Sequence, residues 1–217
     1  MNFIFDLDGT IIDSYKDVYE SLKTAVEANN LLCNFKNDKS IMKLSLYQII
    51  NKYYPAIDEN LNKKIINDYK EIYDKSDYCN TSLYPNAVDV LNKLSLLGRK
   101  IFIATNKRRV PAERILEKFD MKKYFTDTYY IDTFENINIT KNELVDLLIS
   151  NYSLVKTHTI IIGDTESDIL AAKLNSILSV AYLNGYGNIN DLKKLEPDFY
   201  ISDLKEIITL FCRENKK

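Results

Sequence analysis

Short apolar segments alternate along this chain with amphipathic segments, and that alternation limits the fold more than any other feature of the sequence. The predicted strands are residues 2–5, 101–104, 129–131, 159–162, 178–183 and 199–201. Most of them are followed by apolar residues at helical spacing, such as Val90, Leu91 and Leu94. A strand, a helix and another strand in turn build a parallel sheet with helices on its faces, so the pattern predicts an α/β fold.

The stretch from about residue 15 to residue 80 departs from this alternation, because it contains no convincing strand. Its apolar residues, such as Val18, Leu22 and Ala25, follow helical spacing instead. The sequence therefore predicts an inserted all-α subdomain within an α/β core. The predicted boundaries are 1–14 and 81–217 for the core and 15–80 for the helical cap.

The charge balance limits the classes of partner. The 217 residues include 29 basic and 31 acidic ones, which gives a net charge of −2. A nearly neutral chain lacks the basic surplus with which nucleic-acid binders neutralise phosphates. We therefore expect no nucleic-acid partner, although a local cluster of charges can still bind a small anion.

The cysteines indicate the cellular compartment, and the scarcity of Cys and His ligands limits the type of metal ion that can bind. Cys33, Cys79 and Cys212 are far apart without CxxC spacing, which favours free thiols and a cytoplasmic location. His158 is the only histidine and precedes a predicted strand, so a structural role is favoured for it. Any metal should then be a hard ion bound by carboxylates. No apolar run reaches the length of a membrane span, so we expect no membrane partner.

Polar residues follow three of the predicted strands. They are residues 6–10 (DLDGT), 105–107 (TNK) and 163–168 (GDTESD). In open α/β sheets ligands bind beyond the carboxyl ends of the strands. If these three strands are neighbours, carboxylates, a hydroxyl and an amide converge on one site.

Asp6 and Asp8 lie two residues apart on an extended segment, so their side chains point the same way. Gly9 lets the chain bend at once and bring backbone N–H groups toward a bound anion. A simple turn at a strand end also uses Asp and Gly, which is the structural alternative. Paired carboxylates after a buried strand are costly without a cation, and this favours a functional site.

The run FDLDGTIIDS resembles the first motif of the haloacid dehalogenase-like hydrolases. In the same order, ATNK at 104–107 is similar to their second motif, Lys141 to their third-motif lysine, and GDTESD at 163–168 to their acidic fourth motif. The tail from residue 183 resembles the phosphoglycolate phosphatase-like branch. The resemblance covers residues 1–14 and about 83–210, and it implies a Rossmann-like core with a helical cap.

The same resemblance implies a magnesium-dependent phosphatase for a small phosphorylated metabolite. Asp6 would attack phosphorus, while Asp8 would protonate the leaving oxygen and then activate water. Mg²⁺ would be held by the Asp6 carboxylate, the Asp8 backbone carbonyl and Asp164. Asp168 would support the metal or orient Lys141, which supplies positive charge. The phosphate- or substrate-binding residues would be Gly9, Thr10, Thr105, Asn106, Lys141 and Lys43.

Two positions depart from the family pattern. Asp120 follows a helix where relatives usually carry Gly, and Asp tolerates the left-handed conformation. Lys43 replaces a usual Gly in the cap, so the resemblance does not establish phosphoglycolate as the substrate. The cap is expected to close over a pocket and to set specificity through its inner face. The candidates for that face are Lys39, Lys43, Tyr47 and Tyr15.

Alternative interpretations stay open at this stage. Thr140 and Glu143 also form a capping-box pattern, in which Lys141 is an exposed residue of the first turn. A sugar-phosphate mutase like β-phosphoglucomutase would pass the phosphoryl group to a sugar instead of water. A signalling receiver module also carries a phosphorylatable Asp, a Thr and a Lys at strand ends. The oligomeric state, monomer or homodimer, is likewise open.

Overall fold

The computed structural model describes residues 1–133 and 139–212, and the chain divides into two compact units. One unit contains residues 1–13 together with the chain from residue 83 onward. The other contains residues 14–82. Each unit is described by itself below.

The first unit is built on a parallel six-stranded sheet in the order β5-β4-β1-β6-β7-β8. Its strands are β1 (Asn2–Phe5), β4 (Ile101–Thr105), β5 (Asp127–Tyr130), β6 (Thr159–Gly163), β7 (Leu178–Tyr182) and β8 (Phe199–Ile201). The short strands β2 (Ile12–Asp13) and β3 (Ser82–Leu83) lie where the chain passes between units. The predicted α/β fold with a parallel sheet is therefore confirmed.

The strand β1 lies at the centre of the sheet because its side chains are apolar on both faces. Phe3 and Ile4 are fully buried, and Phe3 aligns with Ile101 on one side and Ile160 on the other. The edge strand β5 begins two residues before the predicted start, at Asp127. Its first residues are half-buried and polar, so no apolar pattern marks them.

Helices cover the sheet of this unit. They are α4 (Ala87–Leu96), α5 (Arg109–Lys118), α6 (Lys141–Asn151), α7 (Glu166–Asn175), α8 (Ile189–Lys194) and α9 (Glu206–Phe211). The core packs apolar residues of α6, such as Leu144 and Leu148, with Phe102 of β4 and Ile161 of β6. Burial of this kind stabilises a fold by about 25 cal/mol per Å² of apolar surface.

Helix ends in the first unit follow the turn residues of the sequence. Asn86 precedes α4 in the left-handed region, at φ 65, so the helix begins two residues after Pro85. Gly98 follows α4 at φ 64, a left-handed conformation that glycine adopts readily at the end of a helix. Asp120 follows α5 at φ 51, as expected for an Asp in place of Gly.

The second unit is helical. It contains α1 (Tyr15–Ala28), α2 (Leu46–Tyr53) and α3 (Glu59–Lys75), with a 3-10 turn at Lys39–Lys43. Residues such as Leu22 of α1 and Ile65 of α3 are fully buried. Within the described ranges, no helix of either unit combines the length and apolar character needed to cross a bilayer.

Candidate active site

The carboxyl ends of three neighbouring strands bring the predicted motifs together. β1 lies between β4 and β6, so Asp6 after β1, Thr105 at the end of β4 and Asp164 after β6 share one edge of the sheet. Lys141 enters the same region as the first residue of α6. The topology therefore places the chemistry where open parallel sheets bind their ligands.

Three buried carboxylates form the centre of this site. Asp6, Asp164 and Asp168 each present one oxygen, and these oxygens all lie within 4.8 Å of one another. Asp6 is 5 % exposed, and the other two are fully buried. Negative charges this close in a poorly solvated place need a cation.

Lys141 supplies one positive charge to the cluster. Its Nζ lies 2.5 Å from Asp6 Oδ1 and also contacts Asp168 Oδ1. Lys141 is only 4 % exposed, although Thr140 and Glu143 beside it form the capping box that the sequence suggested. The cap starts α6 at this residue, so the capping-box interpretation and the site interpretation hold together.

The pKa values of these groups report the surplus of negative charge. Burial raises the pKa of Asp6 well above its usual range, and the nearby Lys141 only partly opposes this. Burial, and then the Asp168 carboxylate, raise the pKa of Asp164 to about 7. Burial alone would lower the pKa of Lys141, but the carboxylates of Asp168 and Asp6 raise it above its usual value.

Asp164 is fixed by groups from two loops. The Thr10 hydroxyl donates to Asp164 Oδ1 at 3.1 Å, and the Tyr186 N–H donates to Oδ2 at 2.7 Å. A Cβ on Gly185 would lie 2.3 Å from the Asp164 Cβ, and one on Gly187 would lie 1.7 Å from the Asp164 carbonyl oxygen. The loop after β7 can approach this closely only because both residues are glycine.

Asp168 is oriented from its own helix. The N–H and the hydroxyl of Thr165 donate to Asp168 Oδ2 at 3.0 and 2.7 Å. Its other oxygen, Oδ1, contacts Lys141. The side chain therefore orients the lysine and adds its charge to the carboxylate cluster.

Gly9 and Thr10 make contacts within the loop after β1 and with Asp164. Gly9 was predicted to let the chain bend and bring backbone N–H groups toward a bound anion, and its own N–H donates to the Ile12 carbonyl at 2.8 Å. The Thr10 hydroxyl is used by Asp164. Both residues therefore support the loop and the carboxylate, and their assignment as phosphate-binding groups stays a prediction.

Asp8 faces a cation that the sequence analysis did not assign. Lys107 Nζ lies 3.0 and 3.1 Å from the two carboxylate oxygens of Asp8. The N–H of Lys107 donates to the Thr105 hydroxyl at 3.1 Å, and Thr105 is buried. The carboxylate of Asp8 is thus engaged with Lys107, and the role of the Asp8 backbone carbonyl as a metal ligand stays a prediction.

The remaining residues singled out in the sequence differ in exposure. Asn106 is exposed on the loop after β4, and His158 is exposed before β6. In the helical unit, Lys43, Lys39 and Tyr47 are exposed, whereas Tyr15 is buried with its hydroxyl donating to Asn37. The functional assignment of the four cap residues stays a prediction.

The sequence assigned no role to Lys107, Asp13 or Tyr186, although Lys107 and Asp13 lie within the predicted motifs. The Tyr186 hydroxyl donates to Asp13 Oδ1 at 2.9 Å, so Tyr186 links Asp13 to Asp164. The Gly-x-Gly pattern at Gly185 and Gly187, just after the predicted strand 178–183, indicates a loop at this place. The partners themselves lie far away in the sequence and become visible only in the fold.

Comparison with known families shows to which family this chain belongs. A model of the haloacid dehalogenase-like hydrolases matches residues 3–182. The chain belongs to that family. Hydrolase family membership favours an enzyme over the receiver-type signalling module considered above, and it confirms the resemblance carried by the four motifs.

Individual relatives of this hydrolase cover nearly the whole chain. A pyrophosphatase from Oceanobacillus iheyensis is 26 % identical over 209 residues, covering 95 % of this chain and 94 % of the relative. A phosphoglycolate phosphatase from Vibrio cholerae is 26 % identical over 215 residues, covering 94 % and 93 %. A solved structure of a putative phosphatase from Clostridium difficile has a TM-score of 0.86 and 26 % identity, covering 97 % and 99 %.

Proposed function

We propose that this hydrolase removes phosphate from a small phosphomonoester through a covalent phosphoaspartate on Asp6. The observation that carries the proposal is the position of the Asp6 carboxylate. It lies at the end of the central strand, beside Asp164 and Asp168 and against the Lys141 ammonium. Nucleophilic catalysis by a carboxylate needs such an arrangement, because an anion has to approach an anionic phosphate.

The residues present fit a magnesium ion. Three ionised carboxylates and one ammonium sum to a charge of −2 in a buried place, which a divalent cation neutralises. Hard oxygen ligands are those that Mg²⁺ prefers. The carboxylates of Asp6 and Asp164 would hold the ion, together with the Asp8 backbone carbonyl, and Asp168 would support it.

The ion would supply positive charge between nucleophile and phosphate. Two like unit charges about 4 Å apart repel by about 4 kcal/mol at an effective dielectric of about 20. Lys141 would offset part of this repulsion, and the buried Thr105 hydroxyl would donate to a phosphate oxygen. Asn106, the next residue in the loop after β4, is also proposed to bind phosphate.

The reaction proceeds in two balanced steps. In the first, an Asp6 oxygen forms a bond to phosphorus, the ester P–O bond breaks, and Asp8 gives its proton to the leaving oxygen. In the second, water attacks the phosphorus of the phosphoaspartate, its proton goes to Asp8, and inorganic phosphate leaves with Asp6 restored. Asp8 serves as acid and then as base, so each turnover returns both carboxyl groups to their starting state.

The substrate class follows from the relatives and the charge. Relatives are named as a phosphoglycolate phosphatase and a pyrophosphatase, so small phosphorylated metabolites are the proposed substrates. We also propose that residues 14–82, with Lys43 among them, select among these substrates. The near-neutral charge and the three free cysteines support a cytoplasmic enzyme without a nucleic-acid partner.

A panel of phosphate esters and pyrophosphate, assayed with Mg²⁺ and with EDTA, tests the proposal. The variants are Asp6→Asn and Asp8→Asn, with the exposed Asp89→Asn as matched control. We expect both site variants to lose turnover by on the order of 10³-fold or more, since each removes a group that acts in the transition state. Full activity of Asp6→Asn, or activity that EDTA leaves unchanged, would contradict the mechanism or its metal.

A further inference from the structure

Lys107 is a buried lysine whose ammonium group is directed at one carboxylate. Its side chain is 5 % exposed, whereas that of Asp8 is 18 % exposed. A buried ammonium is costly unless opposite charge compensates it, and the Asp8 carboxylate supplies such a charge. Lys107 is therefore the less accessible member of the pair.

The contact restricts the orientation of Asp8. Lys107 Nζ lies 3.0 Å from Oδ1 and 3.1 Å from Oδ2, so it bridges both oxygens. Rotation of the carboxylate about its side-chain bonds would lengthen one of these contacts.

The backbone holds Lys107 in this place. Its N–H donates to the Thr105 hydroxyl at 3.1 Å, and Thr105 is 1 % exposed at the end of β4. Thr105 ends β4, which is the neighbour of β1 in the sheet, and Asp6 directly follows β1. One short loop after β4 therefore fixes the buried hydroxyl and the cation that contacts Asp8.

We propose that Lys107 is a positioning residue for Asp8, which it holds turned toward the ester oxygen of the substrate. This inference rests on the proposed function, since Asp8 has to meet that oxygen to protonate it. A displacement of about 1 Å in a reacting group costs up to about 10²-fold in rate. Removing Lys107 should therefore slow the proton transfer from Asp8.

The choice of leaving group distinguishes a lysine that positions Asp8 from one that binds phosphate or supports the fold. Formation of the phosphoaspartate breaks the ester P–O bond, and an alkoxide leaves readily only when Asp8 protonates it. A p-nitrophenolate leaves as a stable anion and gains little from that proton. A lysine that acts through Asp8 hence affects alkyl phosphates far more than p-nitrophenyl phosphate, whereas a lysine that binds phosphate or supports the fold affects both alike.

The test compares kcat/KM for glycerol 2-phosphate and p-nitrophenyl phosphate, because kcat/KM reports the phosphoryl transfer to Asp6. The variants are Lys107→Met and Lys107→Arg, with the exposed Lys156→Met as control. For Lys107→Met we expect a loss of about 10²-fold with the alkyl ester and of about threefold or less with the aryl ester. Lys107→Arg should recover most of the loss, and Lys156→Met should match the wild type.

Equal losses with the two esters, or no loss, would overturn the inference while leaving the phosphatase intact. If the wild type turned over no ester, the proposed function would fail and the inference with it, so the wild-type assay tells the two failures apart. For an active wild type, a crystal structure of Lys107→Met is a second test of the inference. An Asp8 side chain that keeps its orientation there would overturn it, and a rotated one would support it. Lys107→Gln serves both measurements if thermal unfolding shows that the Met variant does not fold.

Discussion

Lys141 shows how a local signal and a distant contact act on one residue. The capping box of Thr140 and Glu143 starts α6 at Lys141, which a local pattern predicts. The same backbone geometry carries the ammonium group to Asp6, which lies 135 positions earlier in the sequence. The capping pattern alone would leave Lys141 exposed, so only the convergence of several motifs favoured the buried position.

The loop after β7 offers a test at the scale of one residue. Gly187→Ala would place a Cβ 1.7 Å from the Asp164 carbonyl oxygen, so the Asp164 loop has to move. We expect a loss of stability of about 2–3 kcal/mol together with a large loss of Mg²⁺-dependent activity. Urea unfolding and the phosphatase assay measure the two effects.

Gly98→Ala is the matched control for that substitution. Gly98 has φ 64, but nothing lies within 4 Å of an added Cβ. Its replacement should cost about 1–2 kcal/mol through backbone conformation alone and leave activity unchanged. Wild-type activity and Mg²⁺ affinity in Gly187→Ala would show that the loop does not support the site.

The pKa of Asp164 predicts a pH dependence of magnesium binding. Its folded value of about 7 lies above the ordinary 3.8, so the fold favours the protonated acid. That stabilising contribution is present at low pH and is lost as pH rises through about 7 in the metal-free protein. Below pH 7, Mg²⁺ has to displace this proton, which costs about 1.4 kcal/mol per pH unit.

Thermal unfolding with Mg²⁺ and with EDTA measures this competition. The increase in unfolding midpoint caused by Mg²⁺ should be larger at pH 8 than at pH 6, because the proton no longer competes. Asp164→Asn should remove most of the increase at both pH values. An equal increase at pH 6 and pH 8 in the wild type would mean that Asp164 does not exchange a proton for the ion.

At the scale of elements, α1 carries a buried acid that joins it to a distant turn of the helical unit. Asp17 is 6 % exposed and accepts hydrogen bonds from the Thr81 hydroxyl at 2.6 Å and from the Asn80 N–H at 3.2 Å. Asp17→Ala leaves these donors unsatisfied, and we expect a loss of about 2–4 kcal/mol. Urea unfolding measures it, with the exposed Glu20→Ala of the same helix as control; equal midpoints for the two variants would contradict this role.

The elements also show what periodicity can and cannot predict. Strands such as β1 and β6 were predictable because every residue at their centre is apolar and buried on both faces. The start of β5 was not, since an edge strand carries polar residues that only its pairing with β4 identifies. Likewise, no sequence pattern around Tyr186 predicts that its N–H donates to Asp164, which lies 22 positions earlier.

At the scale of the whole molecule, the sequence marked a helical stretch between the first two strands of the sheet. The structure divides the chain at residues 14–82, and the predicted role of that unit in substrate selection remains a proposal. Replacing residues 15–80 with a short Gly/Ser linker should narrow the spread of kcat/KM across the ester panel. An unchanged ranking of substrates in a folded variant would refute that role.

The phosphoaspartate itself is the most direct measurement of the central claim. The enzyme is mixed with its best substrate and Mg²⁺, quenched in acid and reduced with borohydride, which converts an aspartyl phosphate to homoserine. Tryptic cleavage releases residues 1–16 as one peptide, which tandem mass spectrometry sequences. The account predicts homoserine at position 6 and none in Asp6→Asn; modification at Asp8 or Asp13, or no modification during steady turnover, would contradict it.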